Sequence, residues 1–395
     1  MYSFRASDLY RMGGVLLILN YHFFASLTYH LTDVSLSGTN YGGRAAALFF
    51  SLWIIISHFR TRMHPLFYII LIFWTLWFVR LILDSTLNPE ALRESFSIYS
   101  SHFWGVQVAP SVALYFLVRK HGVSSLAFSF VALIILISMF LAISNENGGL
   151  LNYGAFRRGL DMEGANTTGL GYLALFLAIS GVSLELNSIK TWKKNTLKII
   201  LICISGLAIL AFASRIIIAL FLVLLLFSFW NKKCWKCFLG VSFLVPFIIW
   251  HLSSIEFSVL KEFAFYTRMQ SFTEDSIRSR MMFDAIKLIY NSPLIGGGIE
   301  PLGWYPHNLI LEAFMVAGLT SGLLFLTIYF WGLYISYKLM FSQQQFFVGY
   351  FLFSCLIGAL VAGNLYNNQW FWMALTMGIA SYKRSFRDDR KSFLH

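Results

Sequence analysis

His307 follows Pro306, precedes Asn308 and stands at the mouth of a long apolar run, with Glu312 a helical turn inside it. Imidazole accepts a proton near neutral pH, so a His held at such a turn can serve a hydroxyl as general base. Asn308 and Glu312 are candidates to fix that ring or to touch a substrate. Arginines supply a second chemistry. Arg215 lies in Phe212-Ala213-Ser214-Arg215-Ile216-Ile217, between two apolar runs with almost no loop. A guanidinium there snorkels, pairs or binds an anion. Arg278 and Arg280 belong to an amphipathic stretch in which Ile277, Met281, Ala285 and Leu288 form one stripe. Arg280, Asp284, Lys287 and Asn291 form another. Such a helix lies along a membrane surface, its basic stripe toward water or a bound anion. Arginines hold a diphosphate by charge-assisted, often bidentate bonds. Clamps and a base together suit group transfer from a phosphate-activated donor. Each residue also has a plainer reading: a snorkelling Arg215, an interfacial helix with solvated charges, a structural His307.

The stretch Arg157-Arg158-Gly159 to Asn166-Thr167-Thr168-Gly169 alternates charge with Gly, hydroxyl and amide groups. Arg158 and Asn166 are its candidate sugar or phosphate contacts, and a plain flexible loop is the competing reading. Arg80 is expected to pair with nearby Asp84. No Gly-rich phosphate loop, metal-ligand cluster or paired-Asp motif typical of nucleotide-sugar enzymes stands out on the cytoplasmic side, and no cofactor is expected. Cys203 and Cys355 fall in apolar runs, and the single Cys234-x-x-Cys237 is half a zinc site at best.

The elements that must carry these residues are set by composition. The 395 residues are 58% hydrophobic and 12% charged, with a mean hydropathy of +0.67. A soluble domain would be roughly a quarter charged, so the bilayer is the expected solvent. The net charge of +12 sits in short clusters between apolar runs, which sets topology and does not suggest nucleic acid. The expected fold is an all-α polytopic membrane protein, a single integral domain over 1–395 with about twelve transmembrane helices. Spans are predicted near 12–30, 44–59, 66–84, 103–119, 123–143 and 169–186. Six more follow near 195–213, 215–231, 234–252, 308–336, 346–363 and 368–383. The first is read as an uncleaved span. With both termini cytoplasmic, most of the 30 Lys and Arg fall inside, as the positive-inside rule requires. Two longer polar segments then lie outside, 145–168 and 253–306. Pro293 should stop the amphipathic helix of the second, and Gly296-Gly297-Gly298 should let the chain turn. The outer face is the place to expect function.

Four motifs now stand in order. Asn166-Thr167-Thr168-Gly169-Leu170-Gly171-Tyr172 precedes the sixth span, and Ser214-Arg215 opens the eighth. Arg280 leads through an aliphatic helix to Asn291-Ser292-Pro293-Leu294-Ile295-Gly296-Gly297-Gly298. Finally, His307-Asn308-Leu309-Ile310-Leu311-Glu312 is followed by Gly318 and Gly322. In this order the chain resembles the O-antigen polymerase and O-antigen ligase superfamily of bacterial membrane glycosyltransferases, by motif over 166–335 and elsewhere by topology alone. The resemblance implies a metal-independent GT-C type enzyme of the inner membrane, its site facing the periplasm. Arg215 and Arg280 would hold the diphosphate of an undecaprenyl-diphosphate-linked oligosaccharide donor, and His307 would serve the acceptor hydroxyl as base. The glycan acceptor is a lipid-linked repeat unit for a polymerase and lipid A–core for a ligase. A chain-length regulator is a further candidate partner, beside the lipid bilayer itself. The short interval from Arg280 to His307, and the spacings Arg158 to Gly169 and Arg280 to Gly296, look like polymerases. His307-Asn308 with Gly318 looks like the ligase motif. A pilin-type transferase, or a transporter or flippase, is the remoter alternative; the latter usually shows repeated halves, and no repeat is evident here.

Overall fold

The computed structural model describes residues 36–58, 63–89, 92, 94–146, 167–183, 191–212, 215–230, 274–301, 303–342, 345–361, 364–366 and 368–392. Among them the regular structure is entirely helical. In chain order the helices are α1 (Leu36–His58), α2 (Pro65–Leu87), α3 (Phe96–His102), a π-helical turn (Phe103–Val108) and α4 (Ala109–His121). There follow α5 (Ser125–Glu146), α6 (Thr167–Val182), α7 (Thr191–Phe212), α8 (Arg215–Trp230) and α9 (Glu274–Asn291). The last three are α10 (Leu309–Phe341), α11 (Phe346–Ala359) and α12 (Gln369–Ser392). The predicted spans 12–30 and 234–252 lie outside the described residues, as does Cys234-x-x-Cys237. Each of the other predicted spans coincides with a helix.

The helices form two compact units. The first draws on Tyr41–Val123 and Thr273–His395, the second on Ser124–Phe272. In the second, α6 packs against α5, α7 and α8. Gly181 lets α6 approach Leu201 of α7 closely, and the Ser129 and Ser180 hydroxyls join α5 to α6 at 2.7 Å. Small residues and shared hydroxyls are the usual fastenings of helices in an apolar solvent.

In the first unit α10 packs against α2, α9, α11 and α12. Its core is aromatic: Phe73 of α2 lies 5.3 Å from Phe325 and 5.6 Å from Trp372, and Trp77 stacks on Phe103 at 4.8 Å. The π-helical turn precedes Pro110, which has no N–H to give and whose ring crowds the carbonyl a turn earlier. Helix α2 starts on Pro65 with the His64 ring accepting from the Leu66 N–H.

Helices α2 and α10 are each long and apolar enough to cross a membrane. At 23 residues, α2 reaches about 35 Å, against roughly 30 Å of hydrocarbon. It turns Tyr68, Ile72, Val79, Ile82, Leu83 and Leu87 outward. On α10, Leu319, Leu323, Phe330, Trp331 and Tyr334 do the same. Outward faces this apolar need an apolar solvent.

Helix α9 carries the expected stripes. Ala285 is buried and Met281 and Leu288 half-buried, while Arg280, Lys287 and Asn291 are exposed. Asp284 lies 3.9 Å from Lys287. The helix stops at Asn291, ahead of Pro293. A third face, Met282, Phe283, Ile286 and Tyr290, is also exposed.

Candidate functional site

The site begins with a fault in α10. Its 33 residues would run to about 50 Å if straight, well beyond a bilayer core. The helix breaks at Ala317 and Gly318, the latter left-handed at φ 68°. There the Leu319 N–H abandons the carbonyl a turn back and donates to the Pro293 carbonyl at 2.7 Å. The freed Met315 carbonyl accepts instead from the Gly297 N–H, also at 2.7 Å. The loop after α9 thus supplies both groups that the break leaves open, as irregular backbone in an apolar setting requires. Gly296, left-handed at φ 72°, sits directly on the Met315–Gly318 backbone.

Helix α2 grips the same loop from its other side. Arg80 pairs with Asp84 at 2.8 Å, as its sequence position suggested, and also donates to the Ile295 carbonyl at 2.8 Å. The second Asp84 oxygen accepts from the Ile299 N–H at 2.7 Å. Gly298, at φ 118°, passes so close to both side chains that a larger residue would displace them. Asp84→Ala strands Arg80 and the buried Ile299 N–H together. The expected loss is about 2–3 kcal/mol of stability, read as a lower thermal midpoint in detergent. An unchanged midpoint would show that this grip holds nothing.

One residue on, Glu300 is buried and takes a left-handed backbone at φ 48°. Its carboxylate accepts from the Tyr99 hydroxyl of α3 at 2.6 Å. Burial, and then the bond to Glu300, push the Tyr99 hydroxyl well above its ordinary range, so it remains a donor. The Tyr99 ring meets Tyr366 edge-on at 4.7 Å, and Tyr366 in turn faces His102 at 6.0 Å.

His307 follows, half-buried and again left-handed at φ 52°. A residue with a side chain pays about 1–3 kcal/mol for that conformation and keeps it only where its surroundings dictate it. Its ring lies edge-on to Tyr305 at 4.6 Å. Asn308 caps α10, accepting from the Ile310 and Leu311 N–H groups at 3.0 and 3.1 Å. Its amide donates to the Leu360 carbonyl at 3.2 Å. Glu312 is buried, and both its oxygens lie 3.0 Å from the Leu365 N–H that donates to them. The Leu365 carbonyl accepts from the Trp372 indole at 3.2 Å. Asn308 and Glu312 therefore tie the start of α10 to the turn between α11 and α12.

The remaining expected residues are placed as follows. Arg280 is exposed on α9, with Arg278 on the same helix. Arg215 is the first residue of α8, in the second unit. The side chains of Arg215 and Arg278 lie outside the described ones, and Arg158 and Asn166 outside the described residues. Among the described residues no group of His, Cys, Asp and Glu could hold a metal ion. Sequence reasoning missed Glu300, Tyr99 and Tyr366. The one available signal was an acid placed directly after a run of three glycines and an isoleucine. No family model and no curated protein matches the chain.

Proposed function

We propose that the chain is a polytopic inner-membrane glycosyltransferase that extends an undecaprenyl-diphosphate-linked glycan at the periplasmic face, an O-antigen polymerase. The observation that carries this reading is His307: a strained, half-buried imidazole on a loop seated in the break of a membrane-long helix. Strain at such a position is a mark of function. In the proposed reaction an acceptor hydroxyl attacks the anomeric carbon of the donor. The new glycosidic bond forms as the bond to the diphosphate breaks, and undecaprenyl diphosphate leaves. His307 takes the hydroxyl proton. Arg215 and Arg280, with Arg278 in support, neutralise the charge that grows on the diphosphate. Twelve spans with both termini in the cytoplasm complete the proposed topology.

Arg215→Lys keeps the charge and loses the planar fork, so transfer should collapse while membrane insertion stays normal. Full activity in that variant would remove Arg215 as a bidentate clamp. One specific feature favours ligation instead: the His307-Asn308 pair followed by Gly318, which the structure places at the helix break. Purified protein given labelled donor with either a lipid-linked repeat unit or lipid A–core separates the two. Ladder growth on the repeat unit supports the polymerase; label on lipid A–core alone supports the ligase.

A further inference from the structure

We propose that Glu300 is a positioning residue: its buried carboxylate, held by Tyr99, sets the direction in which the segment 301–307 presents His307. The inference rests on the transfer reading above for its kinetic consequence and on geometry alone for its origin.

The geometry is that of a strained turn held by a buried side chain. Upstream, the chain is fixed by the α10 break, by Arg80 at Ile295 and by Asp84 at Ile299. Downstream, it is fixed again at Asn308 by the α10 cap and the Leu360 carbonyl. Glu300 is where the segment between them departs. Its carbonyl accepts from the Gly303 N–H at 2.8 Å, closing a turn, and its backbone is left-handed although it carries a full side chain. Glycine would hold that conformation freely; glutamate holds it at a cost of about 1–3 kcal/mol. The side chain accounts for the difference. Only 1% of Glu300 is exposed, and its carboxylate reaches the Tyr99 hydroxyl, 201 positions away, at 2.6 Å. At 2.6 Å this is a short O–H···O bond in a buried setting. It therefore offsets the backbone strain and fixes the departure angle.

The aromatic set beyond the bond touches the same segment. Tyr99 packs on Tyr366, the Tyr366 hydroxyl lies within electrostatic reach of both Glu300 and Tyr305, and Tyr305 packs on His307. A shift at Glu300 thus passes to the imidazole along the chain from position 300 to 307, with the Tyr305 ring packed on His307 at its end.

Two variants test this. Tyr99→Phe removes the hydroxyl and nothing else. Glu300→Gln keeps a weaker, neutral bond. In donor-saturated transfer assays the expected kcat falls by about 10–100-fold for Tyr99→Phe, the scale of an ångström-level misplacement of a reacting group. Glu300→Gln should fall less, and the KM for donor should move less than about 2-fold in both. A second readout needs no transfer at all: the rate at which diethyl pyrocarbonate modifies His307, followed by mass spectrometry of the full-length protein in detergent. It should change several-fold in both variants in the same order. Unchanged His307 reactivity and unchanged kcat overturn the proposal. So does a fall in the amount of folded protein with kcat per folded molecule preserved, which would make the bond a matter of stability alone. If the parent protein transfers no glycan, the proposed function fails, and the His307 reactivity still decides the positioning. Should Glu300→Gln not fold, Tyr99→Phe yields both readouts.

Discussion

Under the proposed function, replacing His307 with Ala is expected to abolish glycan transfer and to leave donor binding near that of the parent. The reason lies in where the chemistry needs help. Undecaprenyl diphosphate is a good leaving group once arginines neutralise its developing charge, so the donor side needs no strong acid. The acceptor hydroxyl is a poor nucleophile, and a positioned base contributes about 10²–10⁴-fold. The loop has grips that do not involve the His307 ring: Asp84 with Ile299, Tyr99 with Glu300, and Asn308 with Leu360. Those grips remain when the ring is truncated, so activity is compared per folded molecule, with the thermal midpoint measured beside it. Transfer rate and donor affinity, measured separately on the purified variant, check this. Near-normal turnover, or lost donor binding, makes His307 structural and moves the search for a base to the acids of the 157–169 stretch, Asp161 and Glu163, or to Glu312.

The largest effect on stability is expected at Gly318. Its left-handed backbone is strained for any L side chain, at about 1–2 kcal/mol. In addition, a Cβ there would strike the Leu294 carbonyl group, which is backbone and has nowhere to rotate. Displacing it breaks the exchange in which Leu319 donates to Pro293 and Gly297 to Met315. Gly318→Ala should cost roughly 2–5 kcal/mol in all, the strain and the overpacking together. Gly303→Ala is the control, because Gly303 is left-handed too, at φ 71°, yet nothing lies within 4 Å of its added Cβ. Thermal unfolding of both variants should show a fall about twice as large at Gly318. Equal falls would mean that the loop does not seat on the break.

What the sequence made legible is local. Pro293 and the glycine run placed the end of α9 and the turn beyond it, and the three- and four-residue spacing gave its stripes. Arg80 and Asp84 are a turn apart on one helix, so their spacing alone announces the pair. The break in α10 was half legible. A run longer than a bilayer requires, with Gly318 inside it, hints at an interruption, but nothing local tells which loop completes it. Tyr99 and Glu300, like Asp84 and Ile299, lie more than 200 positions apart, at 201 and 215. No periodicity links such residues; only the packing of α2, α3 and α10 brings them together. Asn308 and Glu312 carry a structural role that their types did not announce. Their types suggested substrate contacts, whereas their polar atoms are engaged in capping α10 and holding the turn near Leu365.

The proposed function is group transfer from a lipid diphosphate with neither metal nor a second compartment. It is tested most directly by giving detergent-purified protein a radiolabelled undecaprenyl-diphosphate-linked repeat unit in the presence of a chelator, and following product length and released undecaprenyl diphosphate together. The proposed function predicts longer lipid-linked glycans, with one undecaprenyl diphosphate released for each unit added, and neither product from the His307→Ala protein. Intact, unextended donor, alongside movement of that donor across the bilayer when the same protein is reconstituted in vesicles, would contradict it and make the chain a transporter.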